Sequence, residues 1–250
     1  MPRQARRKSS SGIYHIMLRG VNRQQIFKEG ADYEKFLQIL AKSQAISAFK
    51  IFAYCLMGNH VHLLFQEGSE PIEKSMKRIT VRFVYWYNAK YQRIGHLFQD
   101  RYKSEPVETD AYLLTVLRYI HQNPVKAGIC GSVADYCYSS YNEYFSDTAL
   151  IDRNFIFSIL SSEEFVAFHA QSSDDQCLDD EDAAEQRLTD EQVQRLIESY
   201  AKCKNASDFR SLPKELKERT VKSVRAQGAS IRQISRVCGE SKGMVERWLR

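Results

Sequence analysis

The sequence predicts an α+β protein: a ferredoxin-like split βαβ unit with one added helix, followed by a small all-α unit of helix-turn-helix type. Three observations carry this. Apolar residues recur at strand and helix spacing in the order β-α-β-β-α-β-α as far as residue 130. Gly58-Asn59 divides two β-rich runs, a strong short hairpin signal. Residues 189–250 read as helical and end in two short helices about Gly239.

The elements follow in order. Residues 12–20 (GIYHIMLRG) set Ile13, His15 and Met17 against Tyr14, Ile16 and Leu18, and both faces are apolar enough for a central strand. Residues 32–48 place Tyr33, Phe36, Leu37, Leu40 and Ile46 at helical spacing. KIFAYCLM (50–57) and VHLLF (61–65) are the hairpin strands, and a long amphipathic helix covers 72–91. A weaker strand spans 102–107. A helix runs over 110–123 with Asp110 as its N-cap, and Pro124 ends it because proline lacks a donor and restricts the residue before it. Residues 131–170 form an aromatic-rich extension whose Tyr136, Tyr138, Tyr141, Tyr144 and Phe145 pack back on the first unit, with a short helix near 155–160. The organisation is therefore a basic arm (1–11), an α+β domain (12–130), its extension (131–170), an acidic linker (171–187) and a helical domain (188–250).

Composition narrows the class. A chain of 250 residues with 43% hydrophobic residues supports a real core. Its longest apolar runs, such as AYLLTVL at 111–117, fall far short of the ~20 residues of a membrane span. The start, MPRQARRKSSSG, has no apolar stretch of a secretory signal behind it. Six cysteines without CxxC spacing read as reduced thiols of a cytoplasmic protein. Charge is segregated. Residues 1–130 hold 20 Lys and Arg against 10 Asp and Glu, residues 131–191 hold 2 against 15, and residues 192–250 hold 14 against 6. Two basic blocks flank an acidic one, a pattern suited to polyanion partners.

Chemistry concentrates in a few residues. On a strand, His60 and His62 point the same way, and two imidazoles side by side can hold a divalent metal. Tyr119 and Asn123, four apart, share a helix face. Lys74, Lys77, Arg78 and Arg82 line the long second helix, with Arg101 and Lys103 beyond it, as candidate phosphate contacts beside aromatic stacking surfaces. Arg3, Arg6, Arg7 and Lys8 of the arm join them. In the tail, Ser241 and Lys242 open the second helix of the helix-turn-helix, the part that reaches base edges in duplex DNA. A helical hairpin used only for packing fits the same pattern.

The strings MGNHVHLL (57–64), GHLFQDRYKS (95–104) and RYIHQNPVKAG (118–128) together resemble the HUH single-tyrosine, IS200-like transposases, and among them most closely the REP-associated tyrosine transposases. With the strand-helix order from residue 12 and YCYSSYNEY at 136–144, the resemblance covers about 60% of the chain. It implies that His60 and His62 bind Mg²⁺ or Mn²⁺, that Asn123 is the third ligand and that Tyr119 is the nucleophile. It implies a substrate of single-stranded DNA beside a hairpin, cleaved and rejoined through a 5′-phosphotyrosine, by a monomer or a homodimer. Mn²⁺ suits imidazole better than Mg²⁺ does. Asp100 departs from the family, which often has glycine there, and the tail lies outside the resemblance. A catalytically silent DNA-binding regulator on the same fold and a hydrolase using water as nucleophile are the alternatives.

Overall fold

The computed structural model describes residues 6–146, 150–171, 175, 177–178, 190–203 and 206–249. Arg3 and most of the acidic linker lie outside the described residues. The chain divides into two compact units, Met1–Asp179 and Asp180–Arg250.

In the first unit, β1 (Ile13–Arg19), α1 (Gly30–Ser47), β2 (Lys50–Met57), β3 (His60–Gln66), α2 (Ile72–Lys90), β4 (Lys103–Pro106) and α3 (Asp110–Lys126) follow one another. The sheet order is β2-β3-β1-β4 with antiparallel pairs throughout, the split βαβ arrangement expected from the patterning. Alternation along the central strands gives the sheet two different faces. Ile16, Leu18, Val61 and Leu63 on one face are buried in a single core with Phe36 and Leu40 of α1 and Met76, Ile79 and Phe83 of α2. The other face carries His15 and His62, and Tyr119 of α3 meets both.

Two departures from the expected boundaries matter for the site. Thr109, not Asp110, caps α3, its hydroxyl accepting from the Tyr112 amide at 3.2 Å. The helix also continues through Pro124 to Lys126. Proline there removes only the donor to Ile120, while Ala127 and Ile129 donate to the carbonyls of Asn123 and Pro124 and close the last turn. Gly128, at φ +68°, then ends it.

The segment after α3 wraps this scaffold. Ser140 Oγ accepts from the Tyr54 amide, Tyr144 donates to Phe52 O at 2.6 Å, Tyr136 donates to Leu56 O at 2.7 Å, and Tyr138 stacks on Tyr33 at 3.7 Å. Helices α4 (Arg153–Phe157) and α5 (Ser162–Ala170) complete it, the latter opened by a Ser161–Glu164 capping box. Phe165 of α5 is fully buried, stacked on Tyr144 at 4.4 Å and on Tyr141 at 5.6 Å. Phe165→Ala is expected to destabilise the first unit by about 3–5 kcal/mol, seen as a lower urea midpoint in its unfolding.

The second unit contains α6 (Asp190–Ala201), α7 (Ala206–Ser211), α8 (Lys214–Ala226), α9 (Ile231–Cys238) and α10 (Lys242–Leu249). Its core gathers Val193, Ile197, Phe209, Val224, Ile234 and Trp248. Gly239 ends α9 at φ +73°, and a Cβ there would stand 2.9 Å from Ala206 and from the Arg210 guanidinium. Arg210 donates from Nε to the Gly239 carbonyl at 2.9 Å, so the turn between the last two helices is both tight and held. No helix among the described residues is long and apolar enough to cross a membrane.

Candidate active site

The hairpin that carries the histidines is braced from its tip. Ile26 and Phe27 both donate to the Gly58 carbonyl, and Gly20 donates to Asn59 O at 2.9 Å. The bracing loop bends tightly, with Asn22 and Arg23 at positive φ. A Cβ at Gly20 would meet Gln24 O at 2.3 Å, so only glycine fits where the loop leaves β1.

His60 and His62 stand side by side on β3, ring centroids 5.0 Å apart and perpendicular. His62 is fully buried, and the Tyr119 ring meets it edge-on at 5.8 Å. Tyr119 itself is 4% exposed. Asn123, one turn on, hydrogen-bonds His60 through its side chain and donates from Nδ2 to the Tyr119 carbonyl at 3.3 Å. The strand pair and the helix pair thus converge in one chain.

Burial sets the protonation. It lowers His60 to about 4, with the charge of Arg19 adding and the Asn123 hydrogen bond opposing. Burial also holds His62 well below the usual histidine range, helped by the charges of His60, His15 and Arg19. Both rings are neutral near pH 7 and keep a lone pair to offer. His60 Nδ1 pairs with Asn59 Oδ1 at 2.6 Å, and His62 Nδ1 pairs with His15 Nε2 at 2.9 Å. Each ring therefore engages its outer partner through Nδ1, the arrangement that would turn Nε2 toward a metal. Two neutral imidazoles and an amide suit a divalent ion and leave its charge undiminished. Among the described residues no three His, Cys, Asp or Glu side chains converge as a metal site.

Residues 8–123 match the family model described as transposase IS200 like. This stretch is similar to the IS200-like transposases. A solved structure of a REP-associated tyrosine transposase bound to a REP hairpin resembles the chain at 18% identity and a TM-score of 0.51, over 61% of this chain and 98% of that one. No curated protein matches the chain.

Away from the histidine pair, the candidate DNA contacts are placed unevenly. Lys74, Lys77, Arg82 and Arg101 are exposed. Arg6 lies 3.7 Å over the Tyr102 ring and donates to the Tyr102 carbonyl at 2.8 Å. Together Arg6, Lys77, Val81, Tyr85, His96 and Arg101 line a groove of about 890 Å³ between α2 and the loop before β4. Arg7 and Lys8 are exposed, and Lys103 is half-buried on β4. Arg78 turns away to Glu70 and Ser47; its guanidinium holds the Glu70 carboxyl down to about 2. Ser241 and Lys242 are exposed at the start of α10, where Ser241 Oγ accepts from Met244 N and Lys242 pairs with Glu246 at 3.2 Å.

Several residues of the site were not singled out from sequence. Arg19 pairs in register with His60, and with Arg23 places positive charge beside it. Lys126 holds its ammonium 5.1 Å over the Tyr119 ring. For His15 the one signal in the sequence is a histidine amid the apolar side chains of a central strand. His121, two residues from Tyr119, points to the far side of α3, where Nδ1 meets His169 Nε2 and Nε2 meets Ser140 Oγ, both at 2.9 Å.

Proposed function

We propose that the first unit cleaves and rejoins single-stranded, hairpin-flanked DNA, with Tyr119 as nucleophile and His60, His62 and Asn123 holding Mg²⁺ or Mn²⁺. The observation that carries this reading is the meeting of Tyr119 with the His60–His62 pair inside one chain. The Tyr119 oxygen forms a bond to phosphorus as the bond to the 3′ oxygen breaks. The tyrosine proton leaves, and the departing 3′ oxygen ends as a hydroxyl. One phosphodiester replaces another, so no nucleotide cofactor is consumed, and attack by a second 3′ hydroxyl reverses the step onto a new strand. A bound divalent ion supplies positive charge to the scissile phosphate. Arg19, Arg23 and Lys126 add fixed charge around the same anion.

The strand follows the α2 groove, where Lys77 and Arg101 meet phosphates and exposed Tyr85 offers a face to an unpaired base. Arg6, Arg7, Lys8, Lys74, Arg82 and Lys103 extend the basic surface. Arg78 is already neutralised by Glu70 and contributes little. Lys77→Gln and Arg101→Gln are each expected to weaken single-strand binding on all sequences and to reduce the log–log salt slope by about 0.7, measured by fluorescence anisotropy across a salt series. In the second unit, the first turn of α10 with Ser241 and Lys242 reads duplex DNA.

The experiment is covalent capture. Purified protein is incubated with labelled hairpin-flanked single strands in Mn²⁺, Mg²⁺ or EDTA and resolved on a denaturing gel. A metal-dependent labelled protein band is expected. Cleaved DNA without the band would mean that water attacks. Tight DNA binding with no cleavage in either metal would favour the silent regulator.

A further inference from the structure

We propose that His15 is a positioning residue: with Glu105 it fixes His62 in the tautomer that carries its proton on Nδ1 and presents Nε2 to a divalent ion. This rests on the metal-assisted reading above. His15 lies on β1, opposite Leu64, while its neighbour on the same face, Met17, lies opposite His62. The two imidazoles therefore meet diagonally across the strand pair, Nε2 of His15 to Nδ1 of His62 at 2.9 Å. On its other side His15 is paired in register with Glu105 of β4, and its Nδ1 stands 3.9 Å from Glu105 Oε2. Tyr112 of α3 hydrogen-bonds the Glu105 side chain. Glu105, His15 and His62 thus form a line from the edge of the sheet to the candidate metal.

The carboxylate decides which way the protons point along that line. Between the two rings one nitrogen donates and the other accepts. If His15 Nε2 carried the proton, His15 Nδ1 would face the Glu105 carboxylate as a second acceptor, lone pair against negative charge. The His62 proton would then sit on Nε2 and block ligation. If His62 Nδ1 carries the proton, His15 Nε2 accepts it, and the His15 proton lies on Nδ1, facing the carboxylate. Only the second order is electrostatically favourable, and it leaves His62 Nε2 as a donor to metal. His15 is itself fully buried in a strand where an apolar side chain would pack without the cost of burying a ring nitrogen. Its placement is explained by what it does to His62, as outer partners of metal-bound histidines do generally.

The test reads tautomer and metal binding, not turnover. In ¹⁵N-histidine-labelled full-length protein without metal, long-range nitrogen–proton correlations report which His62 nitrogen is protonated. Titration with Mn²⁺ followed by electron paramagnetic resonance reports affinity. The wild-type chain is expected to show the Nδ1-protonated form. His15→Phe, which keeps an aromatic ring and removes the acceptor, is expected to lose that form and to bind Mn²⁺ about 10–100-fold more weakly. His15→Gln, whose carbonyl can accept from Nδ1, is expected to recover most of both. Glu105 is 34% exposed, so Glu105→Gln tests the line without opening the core. A carboxamide accepts either order, so a mixture of tautomers and an intermediate affinity are expected. Mn²⁺ binding and the Nδ1 tautomer both unchanged in His15→Phe and Glu105→Gln would overturn this proposal alone. Absence of Mn²⁺ binding in the wild-type chain would overturn the metal reading, and this proposal with it.

Discussion

Tyr119→Phe is expected to abolish the covalent DNA–protein band and to lower strand cleavage by at least about 10³-fold, an increase of roughly 4 kcal/mol or more in the barrier. The substitution removes one oxygen and leaves the rest of the site standing. The ring keeps its edge contacts with His15 and His62 at 5.8 Å, and the Lys126 ammonium remains over its face. Hairpin affinity should change by less than about twofold, and Mn²⁺ affinity likewise, because neither depends on the lost hydroxyl. Capture gels, anisotropy and Mn²⁺ titration on the same preparation separate these effects. Cleavage persisting at the wild-type rate in this variant would remove Tyr119 from the reaction.

His62→Ala is expected to weaken Mn²⁺ by more than the 10–100-fold that loss of an outer partner costs, and to eliminate the covalent band at ordinary metal concentrations. The cost has two parts that experiments can separate. His62 is fully buried, so its removal also leaves a hole beneath α3 and destabilises the unit by about 2–4 kcal/mol, as large-to-small core changes do. His60 is half-buried at the strand's end. His60→Ala should therefore show the same metal defect with a smaller loss of stability. Two variants that match in metal affinity but differ in urea midpoint would distinguish ligation from packing. Full Mn²⁺ affinity in both would refute the ligand assignment.

What was legible in the sequence follows from local rules. The strands about Gly58-Asn59, the length of α2 and the shared face of His60 and His62 depend on side-chain period and turn chemistry within a few residues, and these appear in the structure within a residue or two of where patterning places them. The Gly239 turn is of the same kind. Features that depend on distant partners were less visible. The end of α3 lies past the stop that Pro124 signals because the bonds that carry the helix on come from residues beyond it. Arg78 looked like a free phosphate contact because its partner, Glu70, lies in the loop that leads into α2. Helix α5 does carry a local signal, the Ser161–Glu164 capping box. His15 acquires meaning only when β1 is laid beside β3 and β4, and no spacing along one strand contains that.

The back of α3 carries a consequence of its own. Arg118 pairs with Asp175 at 2.7 Å, Gln122 donates to the carbonyls of His169 and Gln171, and His121 is bonded to His169 and Ser140. Residues on both sides of the nucleophile are thus tied to the chain that follows the helix. A swap of α3 alone between two molecules would break these ties. These ties favour a tyrosine that stays with its own polypeptide. In genetic terms, a chain lacking Tyr119 and a chain lacking His62 are then expected not to complement each other in one cell.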